Sequence, residues 1–216
     1  MKYKFPPIFI VLIFIFANDL FSQQTDWKLI KSEDQIKVFS RASLEGSIRK
    51  ELRVITEVNY TLSTIVSLFA DKPSYPKWVY GCASIEILKN VSETEMYHYQ
   101  ITNMPWPVQN RDLIVHTTIS QNPETKVVNV VANSSPDYLP VKNDYVRVSA
   151  YTAIWTLTPK LNGVVELDYY ISVDPGGNIP SWLVNMAAAD GPMNTIKNMR
   201  NFLPQYKDSK LGYIKD

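Results

Sequence analysis

The chain is poor in the residues from which most small catalytic and redox centres are built. Its 216 residues include one cysteine and two histidines. A single thiol excludes an internal disulfide framework and any multi-thiol metal site, so Cys82 is expected to be a small buried hydrophobe. His98 and His116 stand apart in the stretches MYHYQ and IVHTT, whereas a zinc site needs three or more converging ligands. No metal and no cofactor is therefore expected. A G-x-S-x-G elbow, an H-E-x-x-H pair and a glycine-rich phosphate loop are all missing. Glycine is scarce as well: seven beside fourteen prolines excludes collagen-like or glycine-rich low-complexity sequence. Nor is there an excess of one charge. The formal net charge is +1, with both signs mixed along the chain, which leaves no electrostatic case for nucleic acid or for a strongly anionic surface.

Long hydrophobic runs are limited to residues 8–17, about half of the ~20 residues that cross a bilayer. Lys2 and Lys4 precede that run, Asn18 and Asp19 end it, and the small Ser22 offers a cleavage point. Residues 1–22 thus read as a signal peptide, with a secreted or periplasmic mature chain from Gln23. No cysteine stands there to take a lipid anchor.

What is present is a large apolar and aromatic content, 45% and 12% of the chain, enough for one domain with a sizeable core. Strand periodicity covers residues 36–41, 48–58, 84–89, 95–104, 111–119, 126–132, 146–158 and 164–173. Asn162-Gly163 is the strongest hairpin signal among the separators. Thr61 opens a short helix carrying Leu62, Ile65, Val66 and Phe69, which Asp71-Lys72-Pro73 stops. The stretch 133–144 (NSSPDYLPVKND) reads as an ordered but movable loop. Asp174-Pro175-Gly176-Gly177 is a turn, and Pro180-Ser181 opens a long terminal helix. Ile179, Trp182, Met186, Ala189, Met193 and Ile196 recur at helical spacing there, with Leu183, Ala187 and Leu203 widening the stripe. Methionine adapts to irregular partners, and Gly191-Pro192 interrupts the hydrogen-bond ladder. Such a helix is suited to cover a space. The class is α+β: a domain over 27–205, followed by a tail over 206–216.

Charges within strands have two readings. Glu166 and Asp168 alternate with Val165, Leu167 and Tyr169, as on the wet face of a sheet. Alternatively, some of these charges orient a ligand's polar head inside an apolar cavity. Arg111 and Asp112 follow a proline-rich turn and are expected to fix the start of a strand. Arg147, inside a strand, is expected to meet a ligand head group; a buried arginine is costly unless paired, so an acid such as Glu166 or Asp168 should lie nearby, or the guanidinium waits for an anionic ligand.

Trp78, the run PWPVQNRDLIV at 105–115, Arg147, and DPGGNIPSWLVN at 174–185 together resemble the START domain, the lipid-transfer domain related to the steroidogenic acute regulatory protein. The match in element order spans residues 27–203. The resemblance implies a helix-grip fold: a curved antiparallel β-sheet wrapped around a long C-terminal α-helix, with an internal hydrophobic cavity. It also implies binding and transfer of one lipid or other apolar small molecule, and a gate formed by the terminal helix and its adjacent loops. The expected ligand-binding residues are Met96, His98, Val115, Thr117, Arg147, Tyr151, Tyr169, Trp182, Met186, Ala189, Met193 and Ile196. The buried acid–arginine pair of several animal members falls near His98 and Thr117, so that pair is expected to be absent. A monomer with transient membrane contact and no nucleic-acid partner is expected. Two other readings remain: a cyclase-, aromatase- or hydratase-like enzyme using His98 or His116 with Tyr99 or Tyr169, and a cavity-free interaction domain.

Overall fold

The computed structural model describes residues 26–42 and 50–216; the leader expected over 1–22 and the turn read at 44–47 lie outside them. The strands are β1 (Lys28–Glu33), β2 (Ile36–Ala42), β3 (Lys50–Val58), β4 (Cys82–Ser92), β5 (Glu95–Thr102), β6 (Arg111–Gln121), β7 (Val128–Ser134), β8 (Val146–Arg147), β9 (Ala150–Pro159) and β10 (Val165–Asp174). The helices are α1 (Leu62–Ala70), α2 (Tyr75–Trp78) and α3 (Ser181–Phe202). One curved sheet runs β1-β2-β3-β10-β9-β7-β6-β5-β4, and β8 lies parallel beside β6. Neighbours along the main path are antiparallel. This is the expected helix-grip arrangement.

Local chemistry explains the elements. At the β9–β10 turn, Asn162 and Gly163 both take positive φ, +61° and +73°, the conformation that this residue pair favours. In β10 Val165, Leu167, Tyr169 and Ile171 are buried, while Glu166 and Asp168 alternate onto the other face. There Asp168 accepts a forked pair from Arg53, with the closest contact at 2.5 Å, and Glu166 meets Lys160 at 3.2 Å. These two acids mark the wet face; neither approaches Arg147.

The run 146–158, expected as one strand, breaks in two. Val146 N and Val148 N donate to Asn110 O and Asp112 O at 3.0 and 2.9 Å, so β8 belongs to β6, whereas β9 pairs with β7 and β10. Helix α1 is capped twice. Thr61 Oγ1 accepts from Thr64 N at 3.2 Å and Asp216 Oδ1 from Ser63 N at 2.7 Å, satisfying two N–H groups that a helix start leaves unpaired. Residues 206–216 therefore fold back onto the domain. Ile214 is buried, and Lys215 exchanges two hydrogen bonds with the Gln121 side chain.

Helix α3 is continuous across Gly191-Pro192 and packs on α2, β2 and β3. Its buried face is Leu183, Ala188, Met193, Ile196 and Met199, continued by Leu203 beyond the helix end. The second half matches the expected stripe, but the first half is turned by one residue. Leu183 is inside, while Trp182 and Met186 are 60% and 38% exposed. The physical reason is that adjacent helix positions lie about 100° apart. With apolar residues at both 182 and 183, tertiary contacts decide which one is covered.

Candidate functional site

A cavity of about 60 Å³ lies between the 69–79 segment and one face of the sheet. Its sheet wall is made by alternate residues: His98 and Gln100 on β5, Val115 and Thr117 on β6, Val130 and Ala132 on β7, and Tyr151, Ala153 and Trp155 on β9. Alternate positions share a face because successive strand side chains point to opposite sides. Phe69, Lys72, Tyr75, Trp78 and Val79 cover that wall, with Tyr169 of β10 and Thr195 of α3 at its sides. The space is much smaller than the ~300–1,000 Å³ of a ligand pocket, so as it stands it has no room for a lipid.

The covering segment is held by aromatic and polar contacts. Trp78 packs on Tyr75 and Phe69 with ring centres 4.7 and 5.8 Å apart, and its Nε1 donates to Ser74 Oγ at 3.1 Å. Thr195 Oγ1 joins the cover to α3, accepting from Tyr80 N at 3.1 Å and donating to Gly191 O at 2.9 Å.

Three polar side chains in the cavity stand out. Lys72 is 2% exposed; its ammonium donates to Tyr75 Oη at 2.5 Å and lies 4.2 Å from that ring's centre. No carboxylate pairs with it among the described residues, and burial alone pulls its pKa down to about 7. His98 and Thr117 are equally buried, and His98 Nδ1 and Thr117 Oγ1 have no hydrogen-bond partner among the described residues. Each such atom costs on the order of 1–3 kcal/mol. Burial, and next the nearby Lys72, hold the His98 imidazole neutral, well below its ordinary titration range. Burial pushes the Tyr151 hydroxyl up to about 12 and raises Tyr75 and Tyr169 further, so all three phenols are protonated donors at neutral pH.

Five of the residues singled out from the sequence line this cavity: His98, Val115, Thr117, Tyr151 and Tyr169. Met96 is buried on the same face of β5, one alternate position from His98. Met193 and Ile196 lie in the main core, and Trp182, Met186 and Ala189 do not reach the lining. His116 is on the opposite face, stacked on Tyr97 at 4.4 Å and bonded to Glu95 at 2.8 Å.

Arg147 requires a correction. Its Nε and Nη2 donate to the two Asp112 oxygens at 2.9 and 2.8 Å. Other guanidinium N–H groups go to the carbonyls of Pro136, Leu139 and Pro140. Asp112 alternates with Leu113, Val115 and Thr117 and so faces away from the cavity. Arg147 thus has the paired acid expected of a buried arginine, here Asp112; it holds the 133–144 loop on the outer face and does not line the cavity. Tyr138 of that loop stacks on Tyr97 at 4.8 Å, and Lys142 lies 4.3 Å over the Tyr99 ring. The 133–144 loop, read from the sequence as movable, therefore covers the outer face of the sheet. Arg111, as expected, is structural: it donates to Pro175 O and Gly176 O at 3.2 and 3.0 Å, tying the NRD and DPGG motifs together. Sequence reasoning missed Lys72, which reads as part of a helix stop; the neighbouring Tyr75 and Trp78 were the one hint that this segment is covered.

A curved antiparallel sheet closed by a C-terminal helix over an interior cavity defines the helix-grip class. Within that class, the START domain model matches residues 15–209, and the chain belongs to the START domain family. An uncharacterized protein of Pseudomonas aeruginosa is 36% identical over 176 residues, covering 82% of this chain and 86% of the relative. The mouse phosphatidylcholine transfer protein is 31% identical over 118 residues, 53% of this chain and 55% of the relative. Among solved structures, a STAR-related lipid transfer protein fragment from Xanthomonas axonopodis superposes with a TM-score of 0.75 at 35% identity, covering 83% of this chain and 99% of that one. Human STARD10 shares the fold at TM-score 0.72 and 18% identity, over 83% of this chain and 74% of that one.

Proposed function

We propose that this protein binds one lipid or other apolar small molecule in the cavity under the 69–79 segment and passes it on unchanged. The observation that carries this reading is an interior space with apolar walls and unpartnered polar atoms at one side, the composition of a ligand site rather than of a packing defect. The names of the relatives, a phosphatidylcholine transfer protein and a STAR-related lipid transfer protein, support the same chemistry. His98, Val115, Thr117, Tyr151 and Tyr169 are the sequence-derived candidates for contact. The site of action is outside the cytoplasm after removal of residues 1–22, and the carrier works as a monomer that touches a membrane transiently. N-terminal sequencing of the mature protein checks the first of these points, and sedimentation checks the second. For the binding itself, native mass spectrometry of protein purified from its own host should show a stoichiometric extractable apolar adduct. A bare mass, with no lipid acquired on incubation with vesicles, would overturn the reading.

A second reading keeps one specific observation. His98 presents a neutral, unpartnered imidazole nitrogen to the cavity, as a general base of a cyclase- or hydratase-like enzyme must. Bound ligand recovered chemically unaltered after prolonged incubation removes that alternative.

A further inference from the structure

The polar side of the cavity has a sign. Lys72 brings a buried ammonium whose near contacts are the hydroxyl and ring of Tyr75. The adjacent acid in the chain, Asp71, is engaged elsewhere, accepting from Tyr206 Oη at 2.5 Å. Asp112, the fully buried acid of β6, faces the opposite side of the sheet and is held by Arg147. Among the described residues, no aspartate and no glutamate lines the cavity. His98 Nδ1 and Thr117 Oγ1 lack partners, and both belong to this same wall. Phe69, Trp78, Val115, Val130, Ala153 and Trp155 supply most of the apolar lining, and Gln100, Tyr151, Tyr169 and Thr195 add further polar groups, none of them charged.

We propose that this cavity is built for a long-chain carboxylic acid, its carboxylate seated against Lys72, His98 and Thr117 and its chain along the apolar wall. The proposal rests on the lipid-binding reading above and narrows it to one ligand class. A carboxylate accepts without donating, so it can accept a hydrogen bond from each of the three groups: the ammonium, a His98 tautomer protonated at Nδ1, and the Thr117 hydroxyl. Its single negative charge matches Lys72, the one lysine or arginine in the described lining. A choline head group is disfavoured, because it would set a fixed positive charge beside Lys72 with no acid in the wall to offset it. The carboxylate also fits the compact closed space, whereas the chain needs the 69–79 cover to lift.

Binding should be linked to protons. The titratable groups facing the site are Lys72 and Tyr75 from the cover, His98 from β5, Tyr151 from β9 and Tyr169 from β10, with Asp71 and Cys82 acting on Tyr75 from beside it. Burial has lowered Lys72 to about 7; an adjacent carboxylate favours its charged form. At pH 8 the protein should therefore take up close to one proton per acid bound.

The test is titration calorimetry of the purified protein with oleate, with oleyl alcohol as the uncharged control, and with phosphatidylcholine in vesicles. The wild type should prefer oleate over oleyl alcohol by about tenfold or more, about 1.4 kcal/mol. Lys72→Met should abolish that preference while holding oleyl alcohol affinity within about twofold. Proton uptake, read from two buffers of different ionisation enthalpy, should vanish in the same variant. Thr117→Val, a near-isosteric change that leaves Lys72 in place, should lower oleate affinity selectively, and serves if Lys72→Met fails to melt cooperatively. Equal affinity for oleate and oleyl alcohol, or phosphatidylcholine displacing oleate with no dependence on Lys72, overturns the acid-head proposal and leaves the lipid carrier standing. Failure to bind any of the three probes overturns the acid-head proposal, and the native-mass measurement decides the carrier reading separately.

Discussion

At the scale of single residues, the cavity is marked by groups that make the empty fold less stable. Lys72 has an ordinary pKa of 10.5, which holds in the unfolded chain, and about 7 when folded. Between these values the unfolded chain binds more protons, so stability must rise with pH from about 7 to about 10, and the charged lysine destabilises the fold fully below that window. Lys72→Met should therefore be more stable than the wild type at pH 6, by about 1 kcal/mol or more. The advantage should shrink to near zero above pH 10. Urea melts across that range check it; a variant less stable at pH 6 would assign Lys72 a purely structural role. Asp112 is the opposite case, a fully buried carboxylate joined to an arginine whose side chain is 6% exposed. Asp112→Asn should cost about 3 kcal/mol, since removing one partner leaves a buried charge uncompensated. It should also speed amide exchange across residues 136–145, which Arg147 pins through three carbonyls.

Between elements, two joints hold the domain together. One is the contact of NRD with DPGG, where Gly176 sits at φ +65° with Val146 Cγ1 3.2 Å from the position of an added Cβ. Gly176→Ala should destabilise by about 1–2 kcal/mol, from the left-handed backbone and that close approach together, measured as a shift of the urea midpoint at unchanged slope. The other joint is α3 against the cover, where Gly191 faces the Tyr80 ring and Thr195 bridges Tyr80 N to Gly191 O. On the proposed carrier reading, opening acts through this second joint. Gly191→Ala puts a Cβ 3.4 Å from Tyr80 Cδ1, an ordinary contact. It should stabilise the helix by about 0.5–1 kcal/mol and slow ligand uptake several-fold by stopped-flow fluorescence. Faster uptake in that variant would move the entrance elsewhere.

For the whole molecule, a cavity of about 60 Å³ has no room for a lipid as it stands. On the proposed carrier reading uptake waits for the cover to lift, so its observed rate should level off as lipid concentration rises, at the rate of opening. A rate that climbs linearly to the highest concentration would mean a preformed entrance. Much of this architecture was legible in the sequence. Alternation located β2, β3, β5, β6, β7, β9 and β10 to within a few residues, Asn162-Gly163 announced its turn, and the period of 3.6 located α1 and α3. These features depend on neighbours a few residues apart, and the sequence states such neighbours directly. Tertiary structure alone decided the rest. Alternation says that His98 and Thr117 lie on one face and that Asp112 lies on the other, but it does not say which face is covered. A helix-stop lysine reads as solvated until the chain folds Tyr75 and Trp78 over it, and Arg147 finds its acid 35 residues away in β6 rather than in β10. Such pairings depend on which strand lands beside which, and that is settled by long-range packing over the whole sheet rather than by local pattern.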